Sequence, residues 1–553
     1  MKAASDPQRA RHPAGIRARH EQARRGVLLV VVLVVITMLS LAGFAFNQEM
    51  YTAHRGSRVD GVRLQAEALA QSAATVIAND LSLGAETLTA VGGAYDNPQR
   101  YQGAAVYSDE TTGERGRFTI LTPEGELPGG LRFGVADESA RLNLAALLSW
   151  EERQDFSATS PAGDSTSAES RGGSVARDAL LNLPGMTVET ADSLLDWIDT
   201  DNQPREFGAE VDYYAGLDPP YGPRNGAVDS PAELQLVQGV TPQSLFGTDF
   251  DRNGRPEPGP LESLVAQQWE ATEMSAAAPV PDDGFPAGGW SDLITHSSAE
   301  RNVDPQGQPR INLNGPDLRA VHAALAERYS KPIADFVVLV RQFGPSTSSV
   351  AAHETPAGNI DWSRPAEFTM ATPLAVVGLR VDALFQGASE SRTVSSPYTA
   401  EPAQMQSWLF EWLDGVTCHA EAVILGRINV NLARPEILAA VPGLSPAVAE
   451  TIAAQRGTPN IPPPPERRHA AWLLAEGLVD LETMQQLFDY LTAAGDIYRA
   501  QLVGHFDEAA YQSRVEVVID ATSQPPQIVE WMPLTRWGRV YPSEVLETTE
   551  RRR

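Results

Sequence analysis

The sequence predicts an α+β protein in which an N-terminal transmembrane helix continues into a small α/β domain, and that domain carries a large, mainly helical insertion. Three observations lead to this fold class. An uncharged apolar run from Val27 to Asn47 stands directly behind a cationic stretch. Strand-like segments occur near both ends of the remaining chain, and those at the first end are too few to form a stable sheet alone. The long stretch between them alternates helical patterns with turn signals, and 41 prolines and 44 glycines in 553 residues indicate many short elements rather than a coiled coil.

The first element is the membrane helix. A hydrocarbon core about 30 Å thick takes roughly 20 apolar residues at about 1.5 Å each, and Val27-Leu28-Leu29-Val30-Val31-Val32-Leu33-Val34-Val35-Ile36 opens such a run without charge or proline. Lys2, Arg9, Arg11, Arg17, Arg19, Arg24 and Arg25 precede it against only Asp6 and Glu21, which orients the N-terminus to the cytoplasm. The stretch Leu41-Ala42-Gly43-Phe44-Ala45-Phe46 is a poor signal-peptidase site, so the run reads as a retained anchor. With these flanking charges set aside, the rest of the chain holds −33 against a net charge of −28 for the whole. An exported body that acidic has no electrostatic attraction for nucleic acid or an anionic lipid surface.

Next, Val59, Val62, Ala66, Leu69, Ala73 and Ile77 recur at three- and four-residue spacing, so the helix is expected to continue outward as an amphipathic rod to about Leu83, softened at Gly56 and Gly61. Its apolar stripe packs on the protein's own sheet, on other helices, or on both through different faces. Strands are expected at Gly103 to Tyr107, Arg117 to Leu121 and Leu131 to Val135. Their partners are expected at Ala500 to Phe506, Arg514 to Ile519 and Ile528 to Trp531, the last two separated by Gln524-Pro525-Pro526. The divisions expected are therefore 1–26, 27–85, 86–136, an insertion over 137–495, and 496–545.

Inside the insertion three segments repeat: Ala140-Arg141-Leu142-Asn143-Leu144, Pro309-Arg310-Ile311-Asn312-Leu313-Asn314 and Gly426-Arg427-Ile428-Asn429-Val430-Asn431. Each precedes helical sequence, so each reads as a short extended stretch ending in an asparagine cap. Leu183-Pro184-Gly185-Met186-Thr187 and Val441-Pro442-Gly443-Leu444-Ser445 look like helix-hairpin-helix turns, with Leu236-Val237-Gln238-Gly239-Val240-Thr241-Pro242 a looser third. A DNA-binding hairpin uses a second glycine and a nearby cation against phosphate. Thr187 and Ser445 replace that glycine, and Glu189 and Ala447 stand where the cation belongs, so the hairpins read as packing units.

The densest polar stretch runs from Asp196 to Tyr214. Its carboxylates repel unless a cation or Arg205 joins them, and hard oxygen donors without nearby Cys or His favour Ca²⁺ over zinc. A second candidate is Asp249-Phe250-Asp251-Arg252-Asn253-Gly254, which matches the first half of an EF-hand loop, with Asp249, Asp251 and Asn253 as oxygen donors around the turn at Gly254. The twelfth position is Pro260 rather than glutamate, leaving Glu257 or Glu262 as substitutes, or a plain capped turn. No hydrolase, zinc-protease, Walker or dinucleotide signature occurs, so nothing indicates an enzyme. The lone Cys418 excludes an internal disulfide and reads as a small buried residue.

Two features resemble a known family. Gly26 between Arg25 and Val27 resembles the cleavage point of a prepilin leader, after which the helix remains on the mature protein with Val27 first. Pilins of this kind carry a glutamate at the fifth mature position, and here that residue is Val31. The stretch Asp196-Trp197-Ile198-Asp199 through Pro204-Arg205, Gly208-Ala209-Glu210 and Tyr213-Tyr214, with Leu217-Asp218-Pro219-Pro220-Tyr221, Ser230-Pro231-Ala232-Glu233-Leu234 and Ile428-Asn429-Val430-Asn431 before Pro435-Glu436, closely resembles the K-type minor pseudopilins of the type II secretion system.

That resemblance implies a pilin-like α/β domain whose helical insertion binds calcium, with ligands among Asp199, Asp201, Glu206, Glu210 and Asp212. It also implies inner-membrane insertion with the C-terminal domain periplasmic, trimming between Gly26 and Val27 by a prepilin peptidase, and assembly with other minor pseudopilins and the major pseudopilin at a filament tip. Two alternatives stay open on the residues alone: an anchored helix-hairpin-helix protein binding DNA, and an unprocessed, anchored calcium-binding adaptor.

Overall fold

The computed structural model describes residues 17–108, 115–123, 131–158, 174–249, 251–254, 288–346, 359–507, 511–537 and 541–546. The chain divides into two compact units, 1–66 and 67–553. Expectations for the leader's first 16 residues and for Glu257, Pro260 and Glu262 fall outside the described residues.

The first unit is built on helix α1, Arg17–Leu81, whose last turns belong to the second unit. Gly26 and Val27 fall inside it. From Leu28 to Phe46 its large apolar side chains are exposed, with a mean hydropathy of 2.8 over the most apolar window. Val59, in the expected apolar stripe, is also exposed. The buried stripe in the second unit consists of Leu69, Ala70, Ala73, Ala74, Ile77 and Leu81, whose small residues let the helix lie close to a sheet.

That sheet has five main strands: β1 Ala104–Ser108, β2 Arg115–Pro123, β3 Ile497–Phe506, β4 Gln512–Asp520 and β5 Gln527–Pro533. They lie in the order of their numbers and pair antiparallel throughout. The decisive pairing is β2 with β3, Ile120 opposite Leu502 and Phe118 opposite Gly504, because it joins strands from opposite ends of the sequence. The N-terminal end supplies only the β1–β2 ribbon as main strands, which is marginal alone, and the three C-terminal strands widen it into the sheet that covers the α1 face. Ile120, Leu502, Val515, Val517 and Ile519 pack with the α1 stripe, while Leu121 and Val503 pack on the other face with Tyr541 and Leu546. The strand expected at Leu131 to Val135 forms only at Leu131–Arg132, pairing with β2, and a second piece just beyond the expected range, Ala136–Asp137, pairs with β3. Arg132, which ends the first piece, donates from its Nη1 to the backbone oxygens of Tyr95 and Val135, holding the bend.

Between Asp137 and Asp496 the chain builds a helical body around one large apolar cluster, in which Trp150, Trp290, Trp412 and Trp472 are fully buried. Each Arg-x-Asn repeat begins a parallel two-residue bridge. Leu142–Asn143 pairs with Ile294–Thr295, Ile311–Asn312 with Val416–Thr417, and Ile428–Asn429 with Leu491–Thr492. The asparagine side-chain oxygen accepts the amide two residues on in all three cases, from Ala145, Asn314 and Asn431. The hydrophobic-Thr segments that close these bridges are too short to carry a sequence signal of their own.

The hairpins have their expected turns. Gly185, Gly443 and Gly239 have φ of 64°, 88° and 81°, where a side chain would be strained. Thr187, Ser445 and Thr241, in the place of the second glycine, accept amide hydrogens as N-caps of the following helices. A further turn of this kind, at Gly477 with Asp480 capping the next helix, was not anticipated because it lacks the Pro-Gly pair.

Candidate metal centre

Two helices and a loop build the acidic site. Helix α2, Val175–Leu181, runs into the Gly185 turn, and α3, Val188–Ile198, follows. Asp192, Asp196 and Asp199 recur at four- and three-residue spacing, so they fall on one side of α3 and its end. Asp192 and Asp196 are fully buried. Asp192 takes the guanidinium of Arg177 on α2 at 2.5 and 2.7 Å and the Phe207 amide at 3.1 Å, which staples the loop after α3 back onto the helix.

Asp196 accepts Arg205 Nη1 at 2.8 Å and the Arg205 amide, and the same guanidinium reaches Asp199 and, at 3.3 Å, Glu151. Gly208 passes so close that a Cβ there would stand 1.9 Å from Asp196 Oδ2. The loop then delivers Glu210, the residue preceding helix α4, Val211–Tyr214. One carboxylate oxygen each from Asp196, Asp199 and Glu210 lies within 4.8 Å of the others.

Arg205 does not exhaust this cluster. Both Glu210 oxygens and Asp199 Oδ1 are buried with no hydrogen-bond partner. Burial first, then the charges of Asp196, Asp199 and Asp201, pushes the Glu210 carboxyl up to about 7. Burial also holds Asp196 above its ordinary range against the pull of Arg205. Orphaned, mutually repelling carboxylates need a proton or a cation. The donors are all hard oxygens, and oxygens within 4.8 Å of one another can share one ion with bonds of roughly 2.3–2.6 Å, the range of calcium. The residues present therefore fit a bound Ca²⁺.

Of the residues expected from sequence, Asp199 and Glu210 meet in this group. Asp201 is exposed, its Oδ1 accepting the Gln203 amide at 2.7 Å, while its charge still acts on Glu210. Glu206 and Asp212 are exposed and outside the group. Asp196 was read only as part of the signature; its helical spacing to Asp199 was the usable signal. The second candidate loop is arranged differently. Both Asp249 oxygens accept the loop's own amides, from Asn253 at 2.8 Å and Gly254 at 2.7 Å, and Asp251 Oδ2 accepts Asn253 Nδ2 at 3.0 Å. Arg514 and Gln501 hold the backbone oxygens of the turn against the sheet. Among the described residues this loop gathers no set of three acidic ligands.

Residues 140–246, which contain the whole acidic site and its hairpin, match the family described as "Type II secretion system (T2SS), protein K". Over that stretch the chain is similar to the type II secretion system protein K family. It is 26% identical over 223 residues to type II secretion system protein K of Klebsiella pneumoniae, an alignment covering 39% of this chain and 58% of that protein. The solved GspK-GspI-GspJ complex of the enterotoxigenic Escherichia coli type 2 secretion system includes a chain with 13% identity and a TM-score of 0.36, over 86% of this chain and 98% of that one. The family and the exposed apolar α1 segment together mark the protein as membrane-anchored. Cys418 packs beside the insertion core, and burial pushes its thiol pKa up, away from reactive character.

Proposed function

We propose that this protein is a minor pseudopilin of a type II secretion system, anchored in the inner membrane with its N-terminus cytoplasmic and its folded body periplasmic. The observation that carries the reading is the protein K domain, with its acidic site, on a chain whose N-terminal helix bears an exposed apolar segment. In this reading a prepilin peptidase cuts between Gly26 and Val27, and the freed helix packs with other minor pseudopilins and with the major pseudopilin.

Val31 supports a place at the filament tip. A carboxylate there would be costly in lipid unless it met the ammonium of a neighbouring subunit's N-terminus, and Val31 removes the need for that neighbour. The bulk of the insertion supports the same place, since it would obstruct stacking inside a helical filament. The work done is mechanical: tip subunits nucleate assembly and help engage cargo for export across the outer membrane. Asp196, Asp199 and Glu210 would hold Ca²⁺, which supplies the positive charge that ties the loop after α3 to the insertion core.

Deleting the gene and assaying the culture medium for the host's exported enzymes tests the role. Loss of export, restored by the intact gene and not by one lacking residues 27–47, is the expected result. Unchanged export would refute it. Nothing in the fold or the relatives supports the DNA-binding or adaptor alternatives.

A further inference from the structure

The three parallel bridges of the insertion share one register but not one chemistry. In the first, the Glu138 carboxylate accepts Arg141 Nη1 on one oxygen and Thr295 Oγ1 on the other. In the third, Glu300 does the same between Arg427 Nη1, at 2.9 Å, and Thr492 Oγ1. In both, the acid closes a clamp between the arginine that opens the module and the threonine that ends it. The second bridge has the same two residues, Arg310 and Thr417, with Ile311 opposite Val416 and Asn312 opposite Thr417. Among the described residues no carboxylate stands between them. Thr417 Oγ1 accepts the His419 amide, and Arg310 Nε is buried without a partner.

The acids whose charge reaches Arg310 are each already held. Glu300 is held by Arg427 and Thr492, Asp414 by Arg468 and His469 at 2.8 Å each, and Asp304 by Arg328 at 2.8 Å. The nearby Arg427 adds further positive charge, and burial lowers the Arg310 pKa. A desolvated guanidinium without a counter-ion is costly, and a planar fork beside a hydroxyl matches a carboxylate. We propose that Arg310 and Thr417 form a binding site for a carboxylate that the described residues do not supply, in the position that Glu138 and Glu300 fill in the sister modules. The donor is a free carboxylate or an acidic side chain of a partner.

The test is thermal unfolding of the full-length protein in detergent, with sodium acetate or an end-blocked glutamate peptide against sodium chloride at equal ionic strength, the same peptide with glutamine serving as its control. The expected result is a saturable rise in the unfolding midpoint with carboxylate and not with chloride. Arg310→Met, which replaces an unpaired buried charge with an apolar side chain and should fold, loses that response. Arg310→Lys keeps the charge but loses the fork, and should need about tenfold more carboxylate for half the effect. A response to acetate alone assigns a free carboxylate, and a response to both acetate and the glutamate peptide, absent with the glutamine peptide, assigns a protein side chain. Equal effects of acetate and chloride on the wild type, or an undiminished response in Arg310→Met, would overturn the proposal.

Discussion

Glu210 is the residue on which the acidic site turns, because neither of its oxygens has a partner while three other acids act on it or share its cluster. A carboxyl whose folded pKa is raised to about 7 from 4.5 binds its proton more tightly in the folded state than in the unfolded one. Its contribution is therefore present below about pH 4.5 and lost as pH rises to about 7. In chelator, the unfolding midpoint of the wild type should fall across that window more steeply than that of Glu210→Gln, and calcium should stabilise the wild type far more than the variant. Gly208→Ala should also weaken calcium stabilisation, at a cost of about 1–3 kcal/mol, because its Cβ would collide with Asp196. Calorimetry with and without calcium checks both. At this scale the sequence announced the acidic loop but not its geometry. Asp199 and Glu210 were legible as oxygen donors. Asp196 needed the α3 boundary to be recognised as inward-facing, and the exclusion of Glu206 and Asp212 depends on how Asp192 and Arg177 fold the loop back.

Elements were more legible than contacts. Alternation and β-branching located the β2, β3, β4 and β5 strands, and the Pro-Gly turns located two hairpins, since both signals depend on local backbone preference. The split of the expected third strand escaped notice because it depends on Arg132 reaching the backbone oxygens of Tyr95 and Val135, which no local pattern encodes. The repeat was legible in its Arg-x-Asn halves only. Its closing Ile-Thr, Val-Thr and Leu-Thr pairs are two residues long and more than sixty residues away. Two substitutions measure these elements. Thr187→Ala should cost about 1 kcal/mol by removing the cap of α3. Asn429→Ala should cost about 1–3 kcal/mol, since the buried Asn429 both donates to Asp137 at 2.8 Å and accepts the Asn431 amide. Denaturant unfolding at fixed calcium reads both, and equal costs would contradict the difference in burial.

At the scale of the whole molecule, the joining of strands from both ends of the chain in one sheet was foreseeable because the N-terminal set was insufficient alone, and it leaves the helical insertion between adjacent strands of a small α/β domain. That architecture, the likeness to the protein K family over residues 140–246 and the exposed apolar segment of α1 are the features on which the proposed pseudopilin role rests. The account requires that helix to be freed from its cationic leader before assembly. Mass spectrometry of the protein from membranes, with the prepilin peptidase present and absent, reads this directly. The account predicts a mature chain beginning at Val27 only when the peptidase is present. A chain retaining residues 1–26 under both conditions would contradict it.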